Sequence, residues 1–383
     1  MKILTVCSSW RVFGAETITL KMLEGFKQRG HEQIAITSIW TDGEMSQRLR
    51  QLGIREEVMP FGAVVASLSP KYLKWTADVV VRLPILWWRW WRLMRQFQPD
   101  VIIWTSSKQA LLLLPWLNHT PAILVEHAEV APSNAILWLY RKLNSRVKYF
   151  VAVSDFMRGF YKTVGVSEDK IRVIKNGVFF ELEQTAFQQA GDLNNRKFLP
   201  RIGIVGRIAS SKGYECLIEA VRLIHNKGVR VEIFAFGSGT TEYEKLLRQQ
   251  IAVAGLSGVW KWMGYEVERS KIYFSMDICV MPSCKTESFG MVAAEASAYG
   301  LPVVASRIGG LTEVIEEAVT GWLVDPNAPE QLADRITSLI SNPDQARQMG
   351  MAGRERVFKH FTVEKMVMEF ESLFKEFVPP AHE

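Results

Sequence analysis

Short runs of apolar and β-branched residues recur along the chain, and between them apolar positions return every three or four residues. In the first half the runs are Ile3 to Val6, Gln33 to Thr37, Val101 to Trp104, Ala122 to Glu126 and Tyr149 to Val153. Such runs, bounded by turn formers, predict strands, and the three-to-four spacing predicts amphipathic helices. The rhythm lapses across 179–200, where Glu, Gln, Asn and Asp follow no period. It resumes with Arg201 to Val205, Arg230 to Phe236, Ile278 to Met281, Pro302 to Ala305 and Gly321 to Val324. Strands alternating with helices predict a parallel sheet covered on both faces. The pattern therefore predicts an α/β chain of two doubly wound domains, 1–178 and 201–360, with a linker at 179–200. A C-terminal helix within 361–383 is expected to pack back on the first domain.

Composition narrows the class. The 383 residues suffice for two cores, and 48% apolar with 22% charged is a globular balance. The apolar start, Met1 to Cys7, is broken by Ser8, Ser9 and Arg11 before it can serve as a secretory segment. The longest uncharged stretch, Gln109 to Val125, holds Pro115, Asn118, His119 and Pro121 and falls short of the roughly 20 residues a spanning helix needs. The expectation is a cytoplasmic protein without a transmembrane span. Cys7, Cys216, Cys279 and Cys284 have neither zinc nor CxxC spacing and read as buried thiols. The net charge of +6 belongs to the first half: residues 1–178 hold 24 Lys and Arg against 14 Asp and Glu, the rest 22 against 26. A basic half suits an anionic membrane or an acidic substrate. No recognition motif accompanies it, so nucleic acid is not an expected partner. A dehydrogenase is disfavoured because Gly237-Ser238-Gly239 lacks the third glycine of a dinucleotide loop.

Ligands of doubly wound sheets sit beyond the carboxyl ends of the strands, so candidate chemistry is sought there. After Val205 come Gly206, Arg207 and, five residues on, Lys212, just before an amphipathic helix from Tyr214. Two cationic arms and a helix N-terminus suit a diphosphate; an ordinary loop with solvated cations is an equal reading of the motif alone. After Met281 the chain carries Glu287 and Glu295, eight residues apart. On one helix they would be separated by about 12 Å of rise, which suits two parts of one long ligand better than a shared glycosidic bond. Gly290 permits close backbone approach at the helix start. Glu295 lies in an otherwise apolar run from Val292 to Ala296, where a carboxylate needs hydroxyl or amide partners. Gly309-Gly310, past the strand ending at Ala305, frees the backbone to lie against a ligand or simply makes a turn. In the first half Gly14 and Glu16 open a helix after the first strand. His127 alone among six histidines closes a strand, and its near-neutral pKa fits polarising or proton-shuttling work. Ser154 and Asn176-Gly177 also stand at strand ends.

These elements, in this order, resemble the retaining glycosyltransferases of the GT-B fold, specifically family 4, also called group 1. The resemblance rests on Phe13-Gly14-Ala15-Glu16, Val153-Ser154-Asp155, Lys175-Asn176-Gly177-Val178, Val205-Gly206-Arg207, Glu287-Ser288-Phe289-Gly290 up to Glu295-Ala296, and Leu301 to Ala305. It is dense over 200–330 and thinner before. It implies two Rossmann-like domains facing a central cleft, and transfer of a sugar from a nucleoside-diphosphate sugar to a hydroxyl of a glycan or lipid-linked acceptor. By resemblance Arg207, Lys212 and Gly14 meet the donor diphosphate, and Glu295 the ribose. Glu287 meets the transferred sugar with Ser288 and the Phe289 and Gly290 amides, and His127 and Glu287 act in catalysis. Phe13 stands where family members often carry glycine. No Asp-x-Asp pair is present to hold a divalent ion, so neither metal nor cofactor is expected. An epimerase or phosphorylase on the same scaffold and a non-catalytic nucleotide-sugar binder are the alternatives.

Leu83 to Phe97 stands apart, with four tryptophans. At 100° per residue Leu86, Trp90, Leu93 and Phe97 form a face toward the sheet, Arg89, Arg92 and Arg95 a basic face, with Trp87, Trp91 and Met94 between. Indole N–H groups want polar partners, and Trp with Arg suits a membrane interface. Trp87, Trp88, Arg89, Trp91, Arg92 and Arg95 are therefore candidates for contact with the inner membrane surface. Docking of this helix on the sheet or on a partner is the other reading.

Overall fold

The apolar runs form two parallel sheets, one in each of two units. A computed structural model of the chain describes residues 1–7, 12–62, 70–116, 120–127, 129, 132–178 and 199–378. One unit comprises Met1–Gly177 with Val363–Glu383, the other Val178–Thr362. Apart from Leu199 and Pro200, the expected linker lies outside the described residues.

The first unit runs β1 (Lys2–Val6), α1 (Gly14–Gln28), β2 (Glu32–Ser38), α2 (Glu44–Gln51), β3 (Arg55–Met59), α3 (Pro70–Phe97) and β4 (Val101–Trp104). It continues with α4 (Ser107–Leu112), β5 (Ala122–Glu126), α5 (Asn134–Asn144), β6 (Tyr149–Ala152), α6 (Asp155–Thr163) and β7 (Ile171–Val173). Its sheet has the order β3-β2-β1-β4-β5-β6-β7. The second runs β8 (Arg201–Val205), α7 (Tyr214–Asn226), β9 (Glu232–Phe236), α8 (Thr241–Val253), β10 (Trp260–Gly264), α9 (Arg269–Tyr273) and β11 (Ile278–Met281). There follow α10 (Met291–Ala298), β12 (Val303–Ser306), α11 (Leu311–Val314), β13 (Gly321–Val324), α12 (Pro329–Ser341) and α13 (Pro343–His360). Its sheet order is β10-β9-β8-β11-β12-β13. In each, the strand order reverses beside the unit's first strand, between β1 and β4 or between β8 and β11. Loops diverge at that point and leave a crevice.

The expected doubly wound organisation is thus present in both units; three strands lie outside the named runs, β7 just before the expected strand end at Asn176-Gly177, and β3 and β10. β3 reads Arg-Glu-Glu-Val-Met and β10 reads Trp-Lys-Trp-Met-Gly. Both are edge strands, which keep charged residues because only one side is paired and much of the surface faces water.

The last helix, α14 (Val363–Lys375), belongs to the first unit. Phe370 and Phe374 pack on Phe26 of α1, with ring centroids 6.0 and 5.7 Å away. A Cβ on Gly25 would come within 2.6 Å of Val367, so the small residue lets the two helices approach. Glu371 pairs with Arg29 and His31, both at 2.7 Å.

Helix α3 starts well before the expected Leu83. Its 28 residues span about 42 Å. Val79, Leu86, Trp90, Leu93 and Phe97 are buried, and Trp90 stacks on Trp104 at 5.6 Å. Pro84 lies within the helix, where its missing N–H cannot bond the Val80 carbonyl; the cost is eased because Val80 and Val81 face solvent. No helix of the described residues is long and apolar enough to cross a membrane. The cysteines are free, and burial pushes the Cys216 thiol up to about 11.

Candidate active site

In the second unit the strand-end loops at the switch point are stitched backbone to backbone. Gly206 (φ 134°) and Gly237 (φ 135°) follow β8 and β9, and a Cβ on Gly237 would sit 1.8 Å from the Gly206 carbonyl oxygen. Only glycine fits there. Ile208 N–H then donates to the Ser238 carbonyl at 2.9 Å, which carries the pairing past the strand ends and presents Arg207 at the surface. The turn Ser210–Lys212 ends at Gly213 (φ 71°), whose Cβ would fall 1.8 Å from the Pro282 carbonyl oxygen after β11. Cys284 N–H closes the seam by donating to Ser211 O at 2.9 Å.

That seam brings Lys212 to Glu287. Lys212 Nζ lies 2.5 Å from Glu287 Oε1, and Ser283 Oγ donates to the same oxygen at 2.8 Å. Both side chains are largely withdrawn from water, at 23% and 18% exposure, so a charged pair here gains more than it would on the surface. Glu287 Oε2 has no hydrogen-bond partner among the described residues. The loop carrying Glu287 is held from behind: Gly310 N–H donates to its carbonyl at 2.7 Å, and a Cβ on Gly309 would meet that carbonyl oxygen at 2.2 Å. The glycine pair thus lies against the Glu287 loop rather than being left open for a ligand.

The helical spacing assumed for Glu287 and Glu295 is corrected in the same way. Helix α10 begins at Met291 behind Gly290 (φ 100°), so Glu287 stands in the preceding loop and Glu295 on the helix. The Phe289 ring is buried against Phe361 at 5.4 Å, so a ligand would find this residue's backbone. Glu295 finds the partners its apolar surroundings demand: Tyr273 Oη donates to Oε2 at 2.6 Å, and Arg269 Nε lies 3.1 Å from it. Neither partner was expected from the sequence. Both sit on α9, one loop beyond the unpredicted edge strand β10, so no strand end marked them.

In the first unit β5 ends at Glu126, and His127 follows. Glu126 is buried, and its carboxylate accepts from Ser107 N–H at 3.0 Å and Ser107 Oγ at 3.3 Å, tying the strand end to the start of α4. Burial pushes its pKa up to about 7, against the opposing pull of the Ser107 bonds and Lys108. His127 Nδ1 is buried with no hydrogen-bond partner among the described residues, and burial pulls the imidazole down to about 4. The ring is therefore neutral at physiological pH, not poised near neutrality as its usual pKa suggested. Gly14 opens α1, where a Cβ would meet nothing within 4 Å. Glu16 caps the helix by accepting Phe13 N–H at 3.0 Å, and Ser154 caps α6 by accepting from Met157 N–H at 3.1 Å. Gly177 N–H turns to Met366 of α14.

The tryptophans of α3 divide into two sets. Trp90 is core, and Trp87 donates its indole N–H to the Leu112 carbonyl at 3.0 Å. Trp88 and Trp91 face outward with Val81 and Ile85, and Arg92 and Arg95 lie over their rings at 5.7 and 4.5 Å. Arg89 instead leans toward Glu57 at 4.0 Å. A groove of about 450 Å³ opens along this helix, bordered by Trp90, Trp91, Met94, Arg95 and Trp116.

Two family descriptions match the sequence: Glycosyltransferase Family 4 over residues 12–181, and Glycosyl transferases group 1 over 187–356. A D-inositol 3-phosphate glycosyltransferase of Segniliparus rotundus is 37% identical over 157 residues, 40% of this chain and 34% of that protein. The capsular polysaccharide biosynthesis glycosyltransferase CapM of Staphylococcus aureus is 28% identical over 243 residues, 60% of this chain and 61% of that protein. The chain therefore matches about a third to three fifths of these relatives' length. The crystal structure of Anabaena HepE in complex with UDP and glucose superposes with a TM-score of 0.79 at 20% identity, covering 98% of this chain and 99% of that one.

Proposed function

Because the chain belongs to the family 4, group 1 glycosyltransferases of the GT-B fold, we propose that it moves a sugar from a nucleoside-diphosphate sugar to an acceptor hydroxyl. The acceptor in this reading is a glycan or a lipid-linked saccharide in cell-surface polysaccharide or glycolipid synthesis, and the anomeric configuration is retained. The observation that carries the reading is the convergence of Lys212, Ser283 and Glu287 at the switch point of the second unit, where doubly wound sheets bind ligands, with Arg207 on the loop that follows β8 there.

The chemistry follows from charge. As the bond between the anomeric carbon and the diphosphate breaks, negative charge grows on the leaving phosphate. Arg207 and Lys212 take it up from fixed positions, so the reading needs no metal ion. Glu287, held by Ser283, keeps Oε2 for a hydroxyl of the transferred sugar, and Glu295 accepts from the ribose. His127, neutral, orients the sugar by hydrogen bonding without protonating the leaving group. Gly14 leaves room for a phosphate beside α1. The acceptor hydroxyl attacks from the face the diphosphate leaves and gives its proton to the departing phosphate oxygen as the new glycosidic bond forms, which retains the configuration.

The outward Trp and Arg side chains of α3 support a second element of the reading, a peripheral seat on the cytoplasmic face of an anionic membrane.

Calorimetric titration of UDP, GDP, ADP and their sugar conjugates, with and without EDTA, tests the donor site. One nucleotide is expected to bind independently of chelator and to weaken in Glu295→Ala. NMR of the product made with a bound donor then reads the anomeric configuration. No binding, binding that EDTA abolishes, or an inverted product would sink the corresponding part of the reading.

A further inference from the structure

Strand β10 turns at Gly264 (φ 76°) toward the single-turn helix α9, which opens with Arg269 and closes with Tyr273. Four residues apart, these two side chains share a face of the turn, and both end on one atom, Glu295 Oε2. Both are tethered. The Tyr273 ring is fully buried against Tyr299, with centroids 5.1 Å apart, and Arg269 is anchored a second time by Nη1 donating to the Val267 carbonyl at 3.3 Å. Burial pulls the Arg269 pKa down, yet the Glu295 carboxylate leaves it above its ordinary value, so the guanidinium stays charged beside its partner. The Glu295 side chain is only 14% exposed, among the buried Ala293, Ala294 and Ala296, and Oε1 takes no hydrogen bond among the described residues.

We infer that Arg269 and Tyr273 are positioning residues that set the selectivity of this site for a ribonucleotide. They saturate Oε2, fix the carboxylate plane and turn Oε1 out as the one acceptor for a ribose hydroxyl. The inference rests on the donor reading of the second unit. A lone buried carboxylate would swing between rotamers and stay poorly compensated. The Arg–Glu pair is neutral overall, so a neutral hydroxyl can bind without a bare anion being buried. A site with its acceptor already oriented loses affinity for a ligand that lacks the hydroxyl, because the acceptor is then left unpaired.

The test is calorimetry with UDP, GDP and ADP, their 2′-deoxy and 3′-deoxy counterparts, and inorganic pyrophosphate. The proteins are wild type, Arg269→Leu, Arg269→Lys, Tyr273→Phe and Glu295→Ala. Wild type is expected to favour one ribonucleotide over a deoxy form by about tenfold or more. Arg269→Leu and Tyr273→Phe should shrink that ratio to about threefold or less, with Arg269→Lys between them and wild type. Pyrophosphate affinity should stay within about twofold, which shows that each variant is folded. If Arg269→Leu and Tyr273→Phe keep the wild-type ratio while Glu295→Ala loses it, the positioning role is wrong and the donor reading stands. A wild type that binds no nucleoside diphosphate overturns both.

Discussion

Lys212 Nζ lies 2.5 Å from Glu287 Oε1, so the cation expected at the donor diphosphate is already bonded to the carboxylate expected at the transferred sugar. The two act as one group. In the donor reading Lys212 is shared between phosphate and Glu287, so removing either partner is expected to misplace the other. Lys212→Met and Glu287→Gln are each expected to lower kcat by about 10²- to 10³-fold, and the double variant by little more than either alone. Steady-state kinetics on the four proteins checks this; multiplicative losses would show that the residues work independently.

Glu126 makes a pH-dependent contribution to stability that can be isolated by one substitution. Its pKa is raised from 4.5 to about 7 in the fold by burial, so the folded state holds a proton that the unfolded chain has released. For an acid with a raised folded pKa, stability is highest below the unfolded value and falls as pH rises through the folded one. Glu126→Gln keeps an acceptor for Ser107 N–H and cannot ionise. The Tm difference between variant and wild type should therefore grow in the variant's favour from about pH 4.5 to about pH 7 and then level off. A difference that stays flat over that window contradicts the raised pKa.

His127 works in the opposite sense. Burial lowers its pKa from 6.5 to about 4, so between those values the unfolded chain binds a proton that the fold refuses. Stability attributable to His127 should fall as pH drops through that window. His127→Gln should lose less Tm than wild type between about pH 6.5 and about pH 4. Its kcat at neutral pH should fall while calorimetric donor binding persists. Intact turnover in His127→Gln would remove the residue from the reaction.

What the sequence made legible was the strand-end grammar. Arg207, Lys212, Glu287 and Glu295 stand out as candidates because each follows an apolar run, and the runs themselves predicted both sheets. What escaped depended on partners distant in the chain. β3 and β10 carry the charges that edges tolerate, so they lack an apolar signature; with β10 unseen, Arg269 and Tyr273 had no reason to be near Glu295. The sequence also offered Gly309-Gly310 equally as a ligand surface and as a turn, and only the 2.2 Å approach to the Glu287 carbonyl decides it. His127 was placed correctly at a strand end, but its protonation depends on surroundings that no local pattern reports.

Glycines separate structural from ligand-facing constraint. Gly213 has φ 71°, and a Cβ there would collide with the Pro282 carbonyl oxygen, so Gly213→Ala should lower stability by about 2 kcal/mol or more. A Cβ on Gly14 meets nothing within 4 Å, so Gly14→Ala should leave Tm nearly unchanged and still reduce kcat/KM. Thermal melts beside kinetics decide the matter. If Gly14→Ala retains full turnover, nothing approaches that loop during the reaction.

The two-faced character of α3 yields the last prediction. Its inner face is buried, while Val81, Ile85, Trp88 and Trp91 project outward, Arg92 and Arg95 lie over the Trp88 and Trp91 rings, and no acidic residue occurs between Val79 and Phe97. Such a face gains from inserting indole rings at a headgroup boundary and from each arginine near an anionic surface, by about 1 kcal/mol per cation. The protein should co-sediment with vesicles containing phosphatidylglycerol and not with pure phosphatidylcholine. Raising salt from about 0.1 M to about 1 M should weaken the binding, because the screening length falls from about 10 Å to about 3 Å. Trp88→Ser with Trp91→Ser should remove the salt-resistant part of the binding, and Arg92→Ser with Arg95→Ser the salt-sensitive part. Turnover of a water-soluble acceptor should persist in both. Binding that ignores lipid charge and survives all four substitutions would assign this face to something other than an anionic membrane.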